Sequence, residues 1–411
     1  MALRFIVFLF SAVLFSCSQD VETKQHSAPS AIEKWRAELD LGEAALPFFF
    51  ELSENQITII NAEERIEIEA IQRKGDSIVI EMPYFDSEIK AKFTSDSTMK
   101  GTWLNYSKGK NYQVPFFAST SGLKNRFNVN LETAMSYFGK WETTFSPDTI
   151  SAQKAIGIFQ QSGNKITGTF VTETGDYRFL EGNATDDSLF LSCFDGAHAF
   201  LFKAKLNDDG TLEGIFWSGN HWKEPWIAKR NETIELTHPD SLTFLKNGYD
   251  KFAFTFPDLD SNLVSLADDK YQGKVVIIQI MGTWCPNCVD ETKFLSKLYD
   301  KHHEKGLEII GLAYERASDF QKAVQNVQKH KAVLNAEYDF LIAGNSKKTK
   351  AAETLPMLNH IMSYPTAIFI DKKGKIQKIH TGFYGPGTGV YYENFVKEIT
   401  AFVEELLTES S

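Results

Sequence analysis

Cysteine is scarce in this chain, with four residues in 411. A structural zinc site needs four Cys or His ligands at matched spacing. Beside Cys285 and Cys288 the sequence offers no second Cys-x-x-Cys and no His-x-x-x-His. No metal is therefore expected, and no cofactor is called for. A basic excess is also missing. The net charge of −11 argues against nucleic acid as a partner and supplies no basic patch for a membrane surface. The histidines show no ligand spacing and, including the adjacent His302-His303, read as solvated. The apolar stretch from Phe5 to Phe15 falls short of the ~20 residues an ordinary spanning helix requires.

What the N-terminus does have is a short positive start, Met1-Ala2-Leu3-Arg4, then that apolar stretch, then Leu14-Phe15-Ser16-Cys17. This is the layout of a secretory signal. A small residue before a cysteine, with Leu three positions ahead of it, resembles the bacterial lipobox, although Phe15 is bulkier than that motif prefers. The resemblance implies cleavage before Cys17 and lipidation of its thiol; the alternative is a plain secretory signal cleaved elsewhere. Residues 18–31 read as a flexible tether. The expected mature protein sits in the periplasm of a Gram-negative bacterium, lipid-anchored to the inner or outer membrane and otherwise soluble.

The length predicts two or three domains. Ile32 to Leu41 reads as one short helix. Short runs of alternating apolar and polar residues then continue to about residue 230, among them Ile57-Thr58-Ile59-Ile60, Ile66-Glu67-Ile68-Glu69 and Ser77-Ile78-Val79-Ile80. Turn signals such as Lys74-Gly75-Asp76 and Asp208-Asp209-Gly210 punctuate them. This predicts an antiparallel all-β domain over residues 32–230. A weak repeat runs through it. Asn55-Gln56-Ile57-Thr58 matches Asn164-Lys165-Ile166-Thr167, and Asp76–Ile80 matches Asp187–Leu191. Gly101-Thr102-Trp103 matches Gly214-Ile215-Phe216, and Val114–Ala118 matches Glu224–Ala228, all in the same order. Two similar meanders pairing into a barrel or sandwich would explain this duplication, since closure removes exposed sheet edges. Trp217, Trp222 and Trp226, with His221, read as core and turn packing, a ligand surface being the alternative. Cys193 reads as a buried strand thiol, with a mixed-disulfide role as the alternative.

Residues 231–250 form a polar linker, and the pattern over 251–411 changes to strands alternating with helices. Val275–Ile280 and Leu307–Leu312 read as buried parallel strands joined by a crossover helix that runs to Lys305. Ala367–Ile370 and Ile376–His380 read as a hairpin, and Tyr391 to Leu407 as an amphipathic helix. Cys285 and Cys288 stand at the start of the crossover helix. Free N–H groups and the positive end of the helix dipole there stabilise a thiolate. The second cysteine, one turn further on, is close enough to close a disulfide with the first. The pattern is that of a thiol–disulfide redox site.

The surrounding segments carry a resemblance. Phe256-Pro257-Asp258-Leu259-Asp260, Val264-Ser265-Leu266, Gly273-Lys274-Val275-Val276, Thr283-Trp284-Cys285-Pro286-Asn287-Cys288, Tyr364-Pro365-Thr366 and Ile368-Phe369-Ile370-Asp371 are similar to the TlpA/ResA-like branch of the thioredoxin superfamily. That branch consists of membrane-anchored thiol–disulfide oxidoreductases. The resemblance implies an α/β thioredoxin-like fold in which Cys285 attacks and Cys288 resolves the mixed disulfide. It implies that Pro365 is a cis-proline facing the cysteines, a trans loop proline being the alternative. Trp284, Tyr364, Pro365 and Thr366 would bind substrate. Glu291, one turn past Cys288, would tune the cysteines and accept protons; its alternative is a solvated helix charge, as Asp290 is read. Lys293 stands where the family often has proline. Gln279 stands where thioredoxin itself holds a buried acid, which shifts proton transfer towards Glu291 or water. Pro356, Met357 and His360 are expected near the groove, with packing as the equally good alternative.

The leading expectation is a reductase of disulfides in exported proteins, supplied by a membrane thiol donor of the DsbD type. Cytochrome c maturation, with apocytochrome c as substrate, is one candidate from the family. A disulfide donor or isomerase is the second reading, although Pro286-Asn287 lacks the histidine that helps make DsbA-type sites oxidising. In the third, the β-domain is a binding module and the thioredoxin-like part recruits a partner.

Overall fold

Trp35, Ala37 and Leu39 point inward while Lys34, Arg36 and Glu38 point outward, and this alternation makes Glu33–Asp40 a strand. The helix expected over Ile32 to Leu41 is not there. Its Ala, Glu and Leu residues favour a helix locally, but eight consecutive pairings to Ala45–Leu52 decide the state. The computed structural model describes residues 32–129 and 135–409, so the signal, Cys17 and the whole tether lie outside the described residues.

The β-rich part consists of two nine-stranded antiparallel units, over residues 33–119 and 139–230. Counted one to nine within each unit, the strands run 4-3-2-1-9-8-7-6-5 in the first and 2-1-9-8-7-6-5-3-4 in the second. An additional pairing of strands two and three closes the second unit. The four matched segments of the repeat fall on the third, sixth, eighth and ninth strands of both units. The duplication is therefore structural, and each copy closes, or nearly closes, its own sheet.

Aromatic rings fill the second unit: Phe170 and Phe202 stand 4.6 Å apart, and Phe202 and Phe216 4.5 Å. Cys193 is wholly buried in this core, as the strand reading expects. The tryptophan cluster splits, with Trp226 in the core and Trp222 exposed. Phe194 leaves the second unit to pack into the first, 4.6 Å from Phe48 and 5.1 Å from Trp103.

The C-terminal domain is built on β1 (Val275–Met281), β2 (Leu307–Glu315), β3 (Asp339–Asn345), β4 (Thr366–Ile370) and β5 (Ile376–Thr381). Their order is β3-β2-β1-β4-β5, with β1, β2 and β3 parallel and the β4–β5 hairpin antiparallel. Helix α1 (Pro286–His302) crosses from β1 to β2 without a break at Lys293. Helices α2 (Phe320–Val333), α3 (Lys348–Thr354) and α4 (Val390–Thr408) complete the thioredoxin-like arrangement. Among the described residues no helix is long and apolar enough to cross a membrane.

The linker is tied down rather than free. Asp240 pairs with His380 at 2.7 Å and Lys378 at 2.8 Å, and Thr381 Oγ1 donates to Thr243 Oγ1 at 2.7 Å. Lys246 Nζ donates to the Pro356 carbonyl, and His360 lies 3.1 Å from the Leu242 carbonyl. Pro356 and His360 thus hold the linker, and Met357 is buried, so none of the three lines the groove over the cysteines.

Two further readings are corrected. His302 and His330 are buried, not solvated: α4 reaches His302 through Glu404, and His330 faces Thr292 at 3.2 Å. Asp290 is no solvated helix charge; it is 5% exposed and paired with Arg178. The cause is that the β units cover the outer face of α1. Val289 packs into the apolar core of the first unit, and Asp290 meets the second. Arg178 also lies 2.8 Å from Glu64 of the first unit and 3.5 Å from Asp195 of the second. Its guanidinium thus joins three bodies, and the three surrounding carboxylates keep it charged despite full burial. Removing one partner of a buried charge cluster strands the others. Arg178→Ala is expected to lose about 3–5 kcal/mol in urea titrations; an unchanged midpoint would show that the cluster ties nothing together.

Candidate active site

β1 is buried along its whole length and delivers the chain into Thr283, whose N–H and hydroxyl both donate to Glu315 at 2.8 Å. This pins the turn before α1. Cys285 is the N-cap of α1, and its Sγ accepts the Cys288 N–H at 3.3 Å. As a thiol it donates to the Tyr364 carbonyl, also at 3.3 Å. The Tyr364–Pro365 peptide is cis. Cys285 keeps 7% of its surface and Cys288 none, and both are thiols here. Burial pushes the Cys288 thiol well above its ordinary range, and the Cys285 sulfur adds to this. Reagents therefore meet Cys285 first.

Glu291 lies one turn beyond Cys288 and is 1% exposed. Burial raises its pKa to about 8, opposed by the hydrogen bond it accepts from Gln279 Nε2 at 2.8 Å. The residue in the place of the thioredoxin acid thus positions Glu291. Thr292 and Tyr338 donate to the other end of the Gln279 amide and fix its orientation.

A cavity of about 550 Å³ opens over Cys285. Trp284, Cys285, Tyr364 and Arg316 line one side; Tyr177, Phe200, Phe216 and Trp222 of the second β unit and Lys108 of the first line the other. A neighbouring space of about 970 Å³ shares Ser107, Lys108, Trp284 and Arg316 with it. The second unit also touches the Cys-x-x-Cys turn itself. Asn287 Nδ2 donates to Asp176 at 3.2 Å and to the Phe383 carbonyl at 2.9 Å. Gly175, at φ +147°, approaches so closely that a Cβ there would stand 2.5 Å from Asn287 Nδ2.

Of the expected substrate contacts, Trp284 and Tyr364 line the cavity, their rings edge to face at 5.4 Å. Pro365 and Thr366 are buried and outside the lining. Sequence reasoning missed Lys108, Asp176, Arg178 and Arg316. None carries a local signal, because each meets the site through a contact distant in sequence.

The dithiol at a helix start, beside a cis-proline loop on this five-stranded sheet, defines a thiol–disulfide site of thioredoxin type. The Redoxin family profile matches residues 249–389. Thiol-disulfide oxidoreductase ResA of Bacillus thuringiensis subsp. konkukian is 32% identical over 148 residues, 36% of this chain and 75% of that protein. ResA of Bacillus cereus strain ZK is 34% identical over 149 residues, again 36% and 75%. A solved thioredoxin domain of a thiol-disulfide oxidoreductase from Bacteroides vulgatus is 25% identical, with a TM-score of 0.27 over 37% of this chain and 99% of that one. The chain belongs to the TlpA/ResA-like branch of the thioredoxin superfamily and is a thiol–disulfide oxidoreductase.

Glu291 ionises above its ordinary 4.5, so the folded chain holds this proton more tightly than the unfolded chain. The stability this lends is whole below pH 4.5 and is lost as pH rises to about 8. Between those limits Glu291→Gln is expected to flatten the fall of stability with pH by about 1 kcal/mol per unit. Parallel curves for the two dithiol proteins would place the carboxyl's pKa in the ordinary range.

Proposed function

We propose that this oxidoreductase works as a reductase on oxidised cysteines of exported proteins, anchored by lipid at Cys17 to a periplasmic membrane face. The observation that carries the chemistry is the placement of Cys285 Sγ at the helix N-cap, facing a cavity, with Cys288 sealed beneath it. The Cys285 thiolate attacks one sulfur of the substrate disulfide. A bond forms between them, and the second substrate sulfur leaves and takes a proton. Glu291, with a pKa near the working pH, accepts the Cys288 proton. Cys288 then attacks Cys285, closing the enzyme disulfide and releasing the first substrate sulfur, which takes up a proton. Two electrons and two protons pass to the substrate. Trp284 and Tyr364 contact it across the cavity.

Support for reduction over oxidation comes from the Pro286-Asn287 dipeptide, which has no histidine to hold the thiolate. Asn287 is moreover committed to Asp176 and Phe383. Electrons to restore the dithiol would come from a membrane thiol donor of the DsbD type, and apocytochrome c is one candidate substrate. Cys288→Ser is expected to accumulate a mixed disulfide through Cys285, and Cys285→Ser none, as read by mass spectrometry after exposure to a disulfide peptide. For the direction, equilibration with dithiothreitol buffers is expected to give a potential near the roughly −270 mV of thioredoxin. A value near the roughly −120 mV of DsbA would make the protein a disulfide donor instead.

A further inference from the structure

Lys108 and Arg316 come from different bodies of the protein and meet at the corner shared by the two cavities beside Cys285. Lys108 ends a short helical turn of the first β unit, and its ammonium lies 5.3 Å from the Tyr112 ring. The Arg316 guanidinium lies 4.0 Å over the Trp284 ring, next to the redox cysteines in the chain's fold. Among the described residues neither cation makes an ion pair or a side-chain hydrogen bond. Nearby carboxylates are already engaged: Asp195, whose charge reaches Lys108, pairs with Arg178 and accepts from the Ala197 and His198 N–H groups, Glu315 accepts from Thr283, Asp176 from Gly385 and Asn287, and Glu224 from Ser146 and Trp222. Burial and the Arg316 charge push the Lys108 ammonium down to about 8. Burial, and after it the same two cations, push His221 on the facing wall down to about 4. Two like charges held together, offset only by the more distant Asp195 and Glu315, destabilise the corner, and an incoming anion in direct contact relieves them.

We propose that Lys108 and Arg316 form an anion subsite, so that the preferred substrates carry a carboxylate close to the disulfide sulfur that Cys285 attacks. Such a carboxylate belongs either to an acidic residue flanking a substrate cysteine or to a small acidic disulfide. The inference rests on Cys285 being the attacking sulfur.

The test uses the reduced full chain and three disulfides of similar size: dianionic 3,3′-dithiodipropionate, neutral bis(2-hydroxyethyl) disulfide and dicationic cystamine. Two disulfide-closed peptides, with Asp or Lys beside each cysteine, are run alongside. Rates are compared as the ratio of anionic to cationic substrate in wild type and in variants, which cancels differences in leaving-group chemistry. Lys108→Gln and, separately, Arg316→Gln are expected to lower that ratio about ten-fold, the scale of one charge-assisted contact. Lys108→Arg is expected to restore most of it. A shift with both substrate pairs identifies an acidic protein segment as the ligand, and a shift with the small disulfides alone identifies a small acidic disulfide. A uniform slowing with the ratio unchanged overturns the subsite, since it means that the cations serve only the Cys285 thiolate. Failure of wild type to reduce any of the disulfides would instead count against Cys285 as the attacking sulfur.

Discussion

The buried Arg178 guanidinium is the interaction on which the rest of this structure depends. It stands among Glu64, Asp195 and Asp290, one carboxylate from each body of the protein. Charges taken out of water are tolerable only when paired, and a partial set would leave carboxylates facing one another in a low-dielectric seam. The three bodies therefore hold one mutual arrangement. Val289, seated in the first unit's core, and Asn287, bonded to Asp176, fix the flanks of the Cys-x-x-Cys turn in that same arrangement.

The consequence is a division of labour along α1. The buried inner face holds the chemistry: Cys288, Glu291 and the Gln279 amide that orients the carboxyl. The outer face, which a lone thioredoxin-like domain would give to water, is spent on holding two β units in place. Those units in turn build the far wall of the cavity over Cys285. Thiol reactivity is set inside the C-terminal domain, while access is set by residues of the two β units far earlier in the sequence, Tyr177 and Trp222 among them.

What was legible in the sequence was what local pattern encodes. The Cys285/Cys288 spacing after an apolar run, the Tyr364-Pro365-Thr366 segment and the β4–β5 hairpin all lie where the sequence pointed. The repeat was visible because turns and inward residues recur at nearly constant offset, and it maps onto equivalent strands. Glu33–Asp40 was misread because helix-forming residue types outweighed a spacing of two over only three inward positions. Asp290 was misread because a carboxylate on a helix looks solvated until its partner is known, and Arg178 sits 112 residues earlier. Lys108 and Arg316 carry no sequence signal at all. Their meaning comes from a corner that exists only when the first β unit and the C-terminal domain are side by side.

The central claim is that the β units, by walling the cavity over the 7%-exposed Cys285, restrict access to its sulfur. It is tested most directly by offering the reduced full chain one disulfide in two settings, in a short closed peptide and in a stably folded small domain. Each rate is normalised to that of dithiothreitol on the same disulfide, which removes its intrinsic reactivity. The expected result is a peptide reacting at least about ten-fold faster than the folded form after that correction. Equal normalised rates would contradict the claim and leave the β units without a role in access.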